Sequence, residues 1–190
     1  MGLGTGSTVA HLLPALAERG LSGLRCVATS PATAARAREL GLPVEAFERL
    51  DHLDIAIDGA DQVDPAGWLV KGGGGAHTRE KIVAAAADRF VVIADHTKVV
   101  DALHLPVPLE LLSFGLSATL RAVAPTRLRD VPHSPDGGLI ADFQGDVGDP
   151  EALAERFEKV PGVVDHGLFP PTLTSDVLIA TGDAVEHREV

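Results

Sequence analysis

The sequence is poor in several residue types, and each shortage narrows the class of protein. Only one of its 190 residues is a cysteine, Cys26, which excludes an internal disulfide and fits a reducing compartment. The net charge of −11 argues against a nucleic-acid partner, because phosphates demand a basic surface. No apolar run approaches the roughly 18 residues of a membrane span, and no cationic, apolar leader opens the sequence. We therefore expect a cytoplasmic protein with neither a membrane nor a nucleic-acid partner.

Glycine is plentiful, and residues 2–8 read GLGTGST ahead of a helical apolar pattern over 8–19. A loop of glycines and hydroxyls that opens a helix offers an anion backbone N–H groups and the positive end of the helix dipole. It is not the dinucleotide fingerprint, because Ser7 stands where the last glycine is needed, and no Gly-Lys-Ser/Thr follows to make a P-loop. Pro14 is expected to kink or shorten the helix. A capped helix without a ligand remains the alternative.

A second polar stretch, residues 58–80, lies between an apolar strand at 53–57 and a helix at 78–87. The residues in it that can carry chemistry are Asp58, Asp61, Lys71, four consecutive glycines from Gly72 to Gly75, and Glu80. Consecutive glycines lose much entropy on folding, so they suit a place where the main chain approaches a ligand closely. The chain has only four lysines, and three of them lie in or just after this stretch, which indicates that an amine is needed there. A surface turn and a flexible loop without a site would contain the same residues.

Apolar strands alternate with helices through the first half of the chain. We predict strands at 25–28, near Val44, at 53–57 and at 90–94, and helices at 8–19, 31–40 and 78–87. This alternation is typical of a parallel α/β sheet, in which ligands bind at the carboxyl ends of the strands. The loop at 2–8, Asp58 and Lys98 all fall at such ends, so we expect these three segments to converge on one edge of the sheet.

The pattern changes after Leu105. Strands at 106–112, 126–129, 138–143 and 163–169 and helices at 115–124 and 150–159 follow in the order β-α-β-β-α-β, which is the ferredoxin-like unit. A strand at 176–180 then returns to the first sheet. The sequence thus predicts an α/β protein with a parallel-sheet domain (1–105 and 172–190) and a smaller ferredoxin-like α+β domain (106–171).

Four motifs resemble the ribose-5-phosphate isomerase family of the A type in sequence, order and spacing. They are GLGTGST at 2–8, IDGAD at 57–61, KGGGGAHTREK at 71–81 and ADHTK at 94–98, and PGVVDHGLF at 161–169 extends the resemblance over essentially the whole chain. The resemblance implies a sugar-phosphate-binding sheet domain and a smaller ferredoxin-like domain. It also implies an aldose–ketose isomerase that interconverts ribose 5-phosphate and ribulose 5-phosphate through an enediolate, in the non-oxidative branch of the pentose phosphate pathway.

The resemblance also implies a role for each matching residue. Glu80 is implied as the general base, and Asp58, Asp61 and Lys71 as the other catalytic residues around the sugar. The implied substrate-binding residues are Thr5, Gly6, Ser7, Thr8, Gly59, Ala60, Gly72, Gly73, Gly74 and Lys98. A carboxylate can move the proton between C2 and C1, while Lys71 and glycine-loop N–H groups can stabilise the enediolate oxygens. Asp58 or Asp61 would shuttle the hydroxyl proton in ring opening, and the sequence leaves both open.

The resemblance implies no cofactor and no metal, a small sugar phosphate as ligand, and a homodimer or homotetramer. Gln62 stands where the family usually has glutamate, with little effect expected. Family members also carry a helix and most of a strand ahead of GLGTGST that this sequence lacks, and we therefore expect that the gene start is truncated. Losing the buried Val and Ile side chains of a strand costs roughly 1.5–3 kcal/mol each. We therefore expect the 190-residue chain to melt low or dissolve poorly, and an upstream extension to be more stable and more active.

Three functions from other classes compete with this interpretation. A metal-dependent sugar isomerase would shift a hydride, but the sequence shows no cluster of Asp, Glu and His ligands for it. A non-catalytic sugar-phosphate sensor would have no need of Glu80. A nucleotide-binding module lacks its fingerprint. The isomerase is the function that the sequence predicts.

Overall fold

A computed structural model describes residues 1–50, 52–104 and 106–190. The strands are β1 (Gly2–Leu3), β2 (Val27–Ala28), β3 (Ala56–Gly59), β4 (Gln62–Val63), β5 (Leu69–Val70), β6 (Phe90–Asp95), β7 (Val107–Leu111), β8 (Thr126–Leu128), β9 (Leu139–Phe143), β10 (Val163–His166), β11 (Leu168–Phe169), β12 (Asp176–Thr181) and β13 (Ala184–Glu189). The helices are α1 (Ser7–Glu18), α2 (Pro31–Glu39), α3 (His77–Ala85), α4 (Leu116–Ala122) and α5 (Pro150–Glu158), with 3-10 turns at Phe47–Arg49, His96–Lys98 and Pro171–Leu173. They fall into two compact units: Met1–Ala60, Arg79–His96 and Thr172–Val190 form the first, and Asp61–Thr78 with Thr97–Pro171 form the second.

The first unit is built on a six-stranded sheet in the order β13-β12-β6-β3-β1-β2. Neighbouring strands from β12 to β2 run parallel, and β13 adds an antiparallel edge beside β12. The short strand β1 lies inside this sheet, where Gly2 is opposite Val27 on one side and Ala56 on the other. Because these strands are parallel, their carboxyl ends lie at one edge, which is where open α/β sheets bind ligands.

Local sequence signals account for the helices of the first unit. Ser30 caps α2 by accepting a hydrogen bond from the N–H of Thr33 at 3.1 Å, and Pro31 takes the first helical position. Helix α1 packs its apolar face into a buried cluster with the side chain of Leu3. It continues through Pro14 to Glu18, so Pro14 does not shorten this helix, and the alternative that it kinks the helix stays a prediction. Burial of an apolar face contributes more to a helix in a protein than a single backbone hydrogen bond does.

The second unit contains a four-stranded antiparallel sheet in the order β10-β7-β9-β8. Taken with α4 and α5, these strands follow the ferredoxin-like connectivity, because the fourth strand lies beside the first and the third lies between the first and second. A three-stranded sheet in the order β11-β5-β4 belongs to the same unit. The buried core of the second unit includes Leu109, Phe143 and Phe157. The two phenylalanine rings pack edge to face, with 5.2 Å between their centroids.

The predicted α/β class, with a parallel sheet and a ferredoxin-like part, is confirmed. The predicted strand at 163–169 is wrong as a single element, because β10 pairs with β7 while β11 pairs with β5 in another sheet. Gly167 separates them, and a Cβ atom there would lie 2.2 Å from the carbonyl oxygen of Lys71. The sequence also missed β4 and β5, which are too short to show a periodic pattern. The predicted domain division stays a prediction, and its boundary residue Leu105 lies outside the described residues.

Candidate active site

The first unit places a loop of glycines and hydroxyls at the head of helix α1, and we term residues 4–8 the N-terminal loop. Gly6 has a φ of 110°, in the region that favours glycine, and α1 begins directly after it at Ser7. Gly6 and Ser7 are exposed, whereas Thr5 and Thr8 are half-buried. The first N–H groups of a helix have no partner within the helix and carry the positive end of its dipole. The N-terminal loop therefore suits an anion.

Asp58, at the end of strand β3, holds the N-terminal loop. The residue is 3% exposed, and its Oδ1 accepts hydrogen bonds from the N–H groups of Thr5 (2.9 Å) and Gly59 (2.7 Å). Gly4 is required here, because a Cβ atom at this position would lie 1.9 Å from the Asp58 carboxyl group. A Cβ atom at Gly59 would lie 3.8 Å from that of Thr8. The structure thus brings the N-terminal loop, Asp58 and Gly59 together at the carboxyl edge of the sheet.

Two threonines that the sequence does not mark also hold the N-terminal loop. Thr33 Oγ1 donates to the carbonyl oxygen of Gly4 at 2.9 Å, and Thr29 Oγ1 lies 2.7 Å from Thr5 Oγ1. Both threonines are buried. The sequence indicates only a helix cap in this segment. The parallel pairing of β1 with β2 is what places the turn after β2 beside the turn after β1.

Glu80 lies in the first turn of helix α3 and is 4% exposed. Helix α3 precedes β6, which is parallel to its neighbour β3, so the helix runs opposite to both strands and begins at their carboxyl ends. One turn later Val83 packs against β1, since a Cβ atom at Gly2 would lie 2.4 Å from Val83 Cγ1. Glu80 is therefore at the same edge of the sheet as Asp58 and the N-terminal loop, and a buried carboxylate there can serve as an acid or base.

In the second unit, Lys71 follows strand β5 and is 3% exposed. Its ammonium nitrogen lies 5.4 Å from the centroid of the Phe169 ring, within the range of a cation–π interaction. Its backbone N–H donates to the carbonyl oxygen of Gly167 at 2.9 Å. The pairing of β5 with β11 places both of these partners. Lys71 is thus a buried amine held in a defined position.

Residues 72–75, which we term the glycine loop, turn tightly after Lys71. The N–H of Gly75 donates to the carbonyl oxygen of Gly72 at 3.0 Å, and both residues have a positive φ (71° and 100°). A Cβ atom at Gly72 would lie 2.7 Å from Nδ1 of the buried His77. Asp61 Oδ2 accepts a hydrogen bond from the N–H of Gly73 at 2.8 Å. Asp61 therefore holds the glycine loop as Asp58 holds the N-terminal loop.

An arginine that the sequence does not mark also holds the glycine loop. Arg129, directly after β8, donates through Nη1 to the carbonyl oxygens of Gly72 (3.0 Å) and Gly73 (3.1 Å). Its Nε and Nη2 atoms pair with the carboxylate of Asp142 at 2.7 and 2.6 Å. Arg129 belongs to no motif in the sequence and is more than fifty positions from the loop, so no local pattern could have found it.

The predicted site residues are divided between the two units. The first unit contains Thr5, Gly6, Ser7, Thr8, Asp58, Gly59, Ala60 and Glu80. The second contains Asp61, Lys71, Gly72, Gly73, Gly74 and Lys98. Lys98 is half-buried at the end of the 3-10 turn His96–Lys98, where it follows strand β6.

Two kinds of feature are absent from residues 1–50, 52–104 and 106–190. No helix there is both long enough and apolar enough to cross a membrane. No three His, Cys, Asp or Glu side chains in these ranges lie so that they could hold a metal ion.

Comparison with known proteins gives a family match and a full-length relative. The family model described as ribose 5-phosphate isomerase A (phosphoriboisomerase A) matches residues 25–184. A curated protein, ribose-5-phosphate isomerase A of Bradyrhizobium diazoefficiens, is 43% identical over 212 aligned residues. The alignment covers 100% of this chain and 88% of that protein.

Solved structures resemble this chain over nearly its whole length. Ribose 5-phosphate isomerase A from Neisseria gonorrhoeae superposes with a TM-score of 0.94 at 31% identity, covering 99% of this chain and 87% of that one. A D-ribose-5-phosphate isomerase solved in complex with phospho-erythronic acid superposes with a TM-score of 0.93 at 33% identity, covering 100% and 90%. The similarity therefore extends over both sequence and fold.

Proposed function

Because the chain belongs to the ribose 5-phosphate isomerase A family, we propose that it interconverts ribose 5-phosphate and ribulose 5-phosphate. This is an aldose–ketose isomerisation in the non-oxidative branch of the pentose phosphate pathway. The observation that carries the proposal is a buried carboxylate, Glu80, at the sheet edge that also holds the N-terminal loop. The ligand of one solved relative, phospho-erythronic acid, supports it. A carboxylate is planar and spreads its negative charge over two oxygens, as the planar enediolate spreads its charge over the oxygens on two neighbouring carbons.

Glu80 is the general base in this proposal. The reaction removes the proton from C2 of the open-chain aldose and delivers it to C1, while the C2 hydroxyl loses a proton and the C1 oxygen gains one. A single carboxylate can take the carbon-bound proton and return it to the other carbon, which is worth roughly 10²–10⁴-fold in rate. The burial of Glu80 supports this role, because a shielded base exchanges its proton with bulk water less readily.

Lys71 and the glycine loop stabilise the negative oxygens of the enediolate. A cation and backbone N–H groups that are placed before the reaction cost no reorganisation when the charge develops. The contact between the Lys71 ammonium group and the Phe169 ring supports this role, because it holds the amine in a defined position, while the hydrogen bond to Gly167 holds the Lys71 backbone. In this proposal Gly72, Gly73 and Gly74 contact the substrate, and the N–H of Gly74 serves the enediolate, because that of Gly73 is bonded to Asp61.

The remaining residues bind the sugar phosphate and open its ring. We assign the phosphate to the N-terminal loop, with Thr5, Gly6, Ser7 and Thr8, because this loop opens a helix and suits an anion. Further contacts are assigned to Gly59, Ala60 and Lys98. Asp58 or Asp61 shuttles the hydroxyl proton during ring opening. Each of the two also accepts a backbone N–H, so each is already fixed in place.

The protein works without a cofactor or metal, in the cytoplasm, as a homodimer or homotetramer. These assignments follow from membership of the family and from the chemistry, since an enediolate route needs only an acid–base group and an electrophile. Light scattering coupled to gel filtration measures the oligomeric state, and a monomer at micromolar concentration would contradict that part of the proposal.

The experiment that tests the function incubates the purified protein with ribose 5-phosphate and follows the formation of ribulose 5-phosphate. Activity should survive exhaustive chelation with EDTA, and turnover in deuterated water should place solvent deuterium on the product carbon. Activity that is lost with EDTA and restored by added metal would instead indicate a metal-assisted hydride shift. A chain that binds the sugar phosphate without converting it would be a sensor.

A further inference from the structure

We propose that Arg129, anchored by Asp142, is a positioning residue for the isomerase, because it sets the orientation of the peptide groups in the glycine loop. This inference rests on the proposed function, in which that loop stabilises the enediolate. Arg129 lies outside every motif that marks the site in the sequence. Its contacts are with the main chain of the loop, so it acts on the reaction through the loop.

The glycine loop needs anchors because its sequence supplies none. Four consecutive glycines have more accessible conformations than any other four residues, and they have no side chains to pack. Two of them, Gly72 and Gly75, adopt a positive φ. Donors stabilise a developing charge only if they are already aimed at it, so a loop that samples several conformations would lose most of that benefit.

Arg129 and Asp61 hold one peptide group of the loop from opposite sides. The peptide between Gly72 and Gly73 has its carbonyl oxygen on Arg129 Nη1 at 3.0 Å and its N–H on Asp61 Oδ2 at 2.8 Å. A trans peptide is planar, and its C=O and N–H point in opposite directions. These two contacts therefore fix the orientation of this peptide plane.

The next peptide group is held by Arg129 from one side. The carbonyl oxygen of Gly73 accepts a hydrogen bond from the same Nη1 atom at 3.1 Å. By the same planarity, the N–H of Gly74 in that peptide must point away from Arg129. Gly74 is exposed, so the hydrogen bond from Arg129 to the Gly73 carbonyl orients the Gly74 N–H away from Arg129, toward the opposite side of the loop. In this inference, the N–H of Gly74 is the one that donates to an enediolate oxygen.

The geometry of the guanidinium group explains why an arginine stands here. One edge of Arg129, Nε and Nη2, forms a bidentate pair with Asp142, which leaves Nη1 for the two carbonyl groups. An ion pair with Asp142 on β9 would need only the first edge. The side chains of Arg129 and Asp142 are 18% and 22% exposed, so solvent competes little with the ion pair between them. A lysine has no planar fork and cannot reproduce both edges.

The test compares Arg129→Met, Arg129→Lys and Asp142→Asn with the control Arg156→Met. Arg156 is matched because it also donates to two backbone carbonyls in the second unit, those of Ala122 and Ala124 at 3.3 and 3.0 Å, away from the glycine loop. Two quantities are compared, kcat with ribose 5-phosphate and the hydrogen–deuterium exchange of the segment 71–76, and KM is determined alongside kcat.

We expect Arg129→Met to lower kcat by about 10- to 100-fold, because small misplacements of positioning groups have effects of this size. KM should change by less than about threefold, since the phosphate site is elsewhere in the proposal. Segment 71–76 should exchange faster in this variant. Arg129→Lys should recover part of the lost kcat, Asp142→Asn should lower kcat less than Arg129→Met does, and Arg156→Met should leave both quantities unchanged.

Normal kcat and normal exchange in a folded Arg129→Met protein would overturn the inference while leaving the isomerase function intact. An equal fall of kcat in Arg156→Met would also overturn it, since the effect would then be a general loss of stability. If Arg129→Met does not fold, Arg129→Lys and Asp142→Asn decide between the same outcomes. A wild-type chain without isomerase activity would fail the proposed function itself and this inference with it.

Discussion

The two glycine-rich loops are anchored in different ways. In each, a carboxylate of the DGAD motif accepts a backbone N–H: Asp58 from the N-terminal loop, and Asp61 from the glycine loop. The other anchors differ. Buried, uncharged hydroxyls hold the N-terminal loop, whereas a charged arginine paired with Asp142 holds the glycine loop.

The difference follows from how much freedom each loop has. Three residues separate β1 from α1, whereas six separate β5 from α3, and four of those six are glycines. A longer, glycine-rich connection loses more conformational entropy when it becomes ordered. Hydrogen bonds from a charged donor are roughly twice as strong as those between neutral groups. The glycine loop, which has the greater conformational freedom, is therefore held by the stronger hydrogen bonds. This link between the freedom of a loop and the strength of its anchors can be tested.

The largest effect is expected at Glu80, the general base of the proposed function. Glu80→Gln keeps the size and polarity of the side chain but removes the proton acceptor. It should therefore lower kcat by at least about a hundredfold with KM similar. Steady-state kinetics with ribose 5-phosphate measures this. The control is Glu39→Gln, whose side chain is 65% exposed in the same unit. Near-normal turnover of Glu80→Gln would move the base elsewhere, with Asp58 and Asp61 next in line.

Replacing one glycine by alanine in each loop should destabilise the protein more in the N-terminal loop than in the glycine loop. In Gly4→Ala the new Cβ atom would lie 1.9 Å from the Asp58 carboxyl group, which is itself buried and bonded. Overpacking of this kind costs about 1–3 kcal/mol or more. In Gly73→Ala the Cβ atom would lie 3.0 Å from the Asp61 oxygens, where a small shift suffices. Melting temperature and kcat should therefore fall much further for Gly4→Ala, and equal losses in the two variants would contradict the comparison.

Removing an uncharged anchor of the N-terminal loop should lower the free energy of unfolding by a moderate amount. Thr33→Val keeps the shape of the side chain but removes the hydroxyl that donates to the Gly4 carbonyl oxygen. Loss of one partner of a buried hydrogen bond costs about 1–3 kcal/mol. Urea denaturation measures the free energy of unfolding, with the exposed Thr172→Val as control. An unchanged free energy for Thr33→Val would mean that the Thr33 hydroxyl does not hold the loop.

The smallest effect is expected away from both loops, at the ion pair between Arg89 and Asp176. Hydrogen bonds from Arg89, and then from His187, lower the pKa of Asp176 from 3.8 to about 2. Because the folded state has the lower pKa, this contribution to stability is complete above about pH 4 and is lost as the pH falls toward 2. At about 1.4 kcal/mol per pKa unit the full shift corresponds to about 2–3 kcal/mol, and this is an upper limit because solvent around the 56% exposed Arg89 side chain screens the pair. The fall in stability between pH 4 and pH 2 should be smaller in Asp176→Asn than in the wild type, and parallel curves would contradict this.

The sequence by itself determined the type of most elements and the fold class. Helix α2 shows why, because its start is marked by Ser30 and Pro31, which lie next to each other and act locally. The order β-α-β-β-α-β was likewise sufficient for the ferredoxin-like part, because hydrophobic periodicity is a property of neighbouring residues. The site motifs were also visible in the sequence, since each is a run of consecutive residues such as the four glycines after Lys71.

Only the tertiary structure decided what holds those motifs in place. Thr33 reaches the Gly4 carbonyl across 29 positions of sequence, and Arg129 reaches Gly72 across 57. Gly167 splits a predicted strand because it passes against the Lys71 backbone, a neighbour far away in the chain. Such contacts depend on which strands pair and in which register. The hydrophobic periodicity of a segment shows only which of its residues face the core. It contains no information about which distant residue will pack against them.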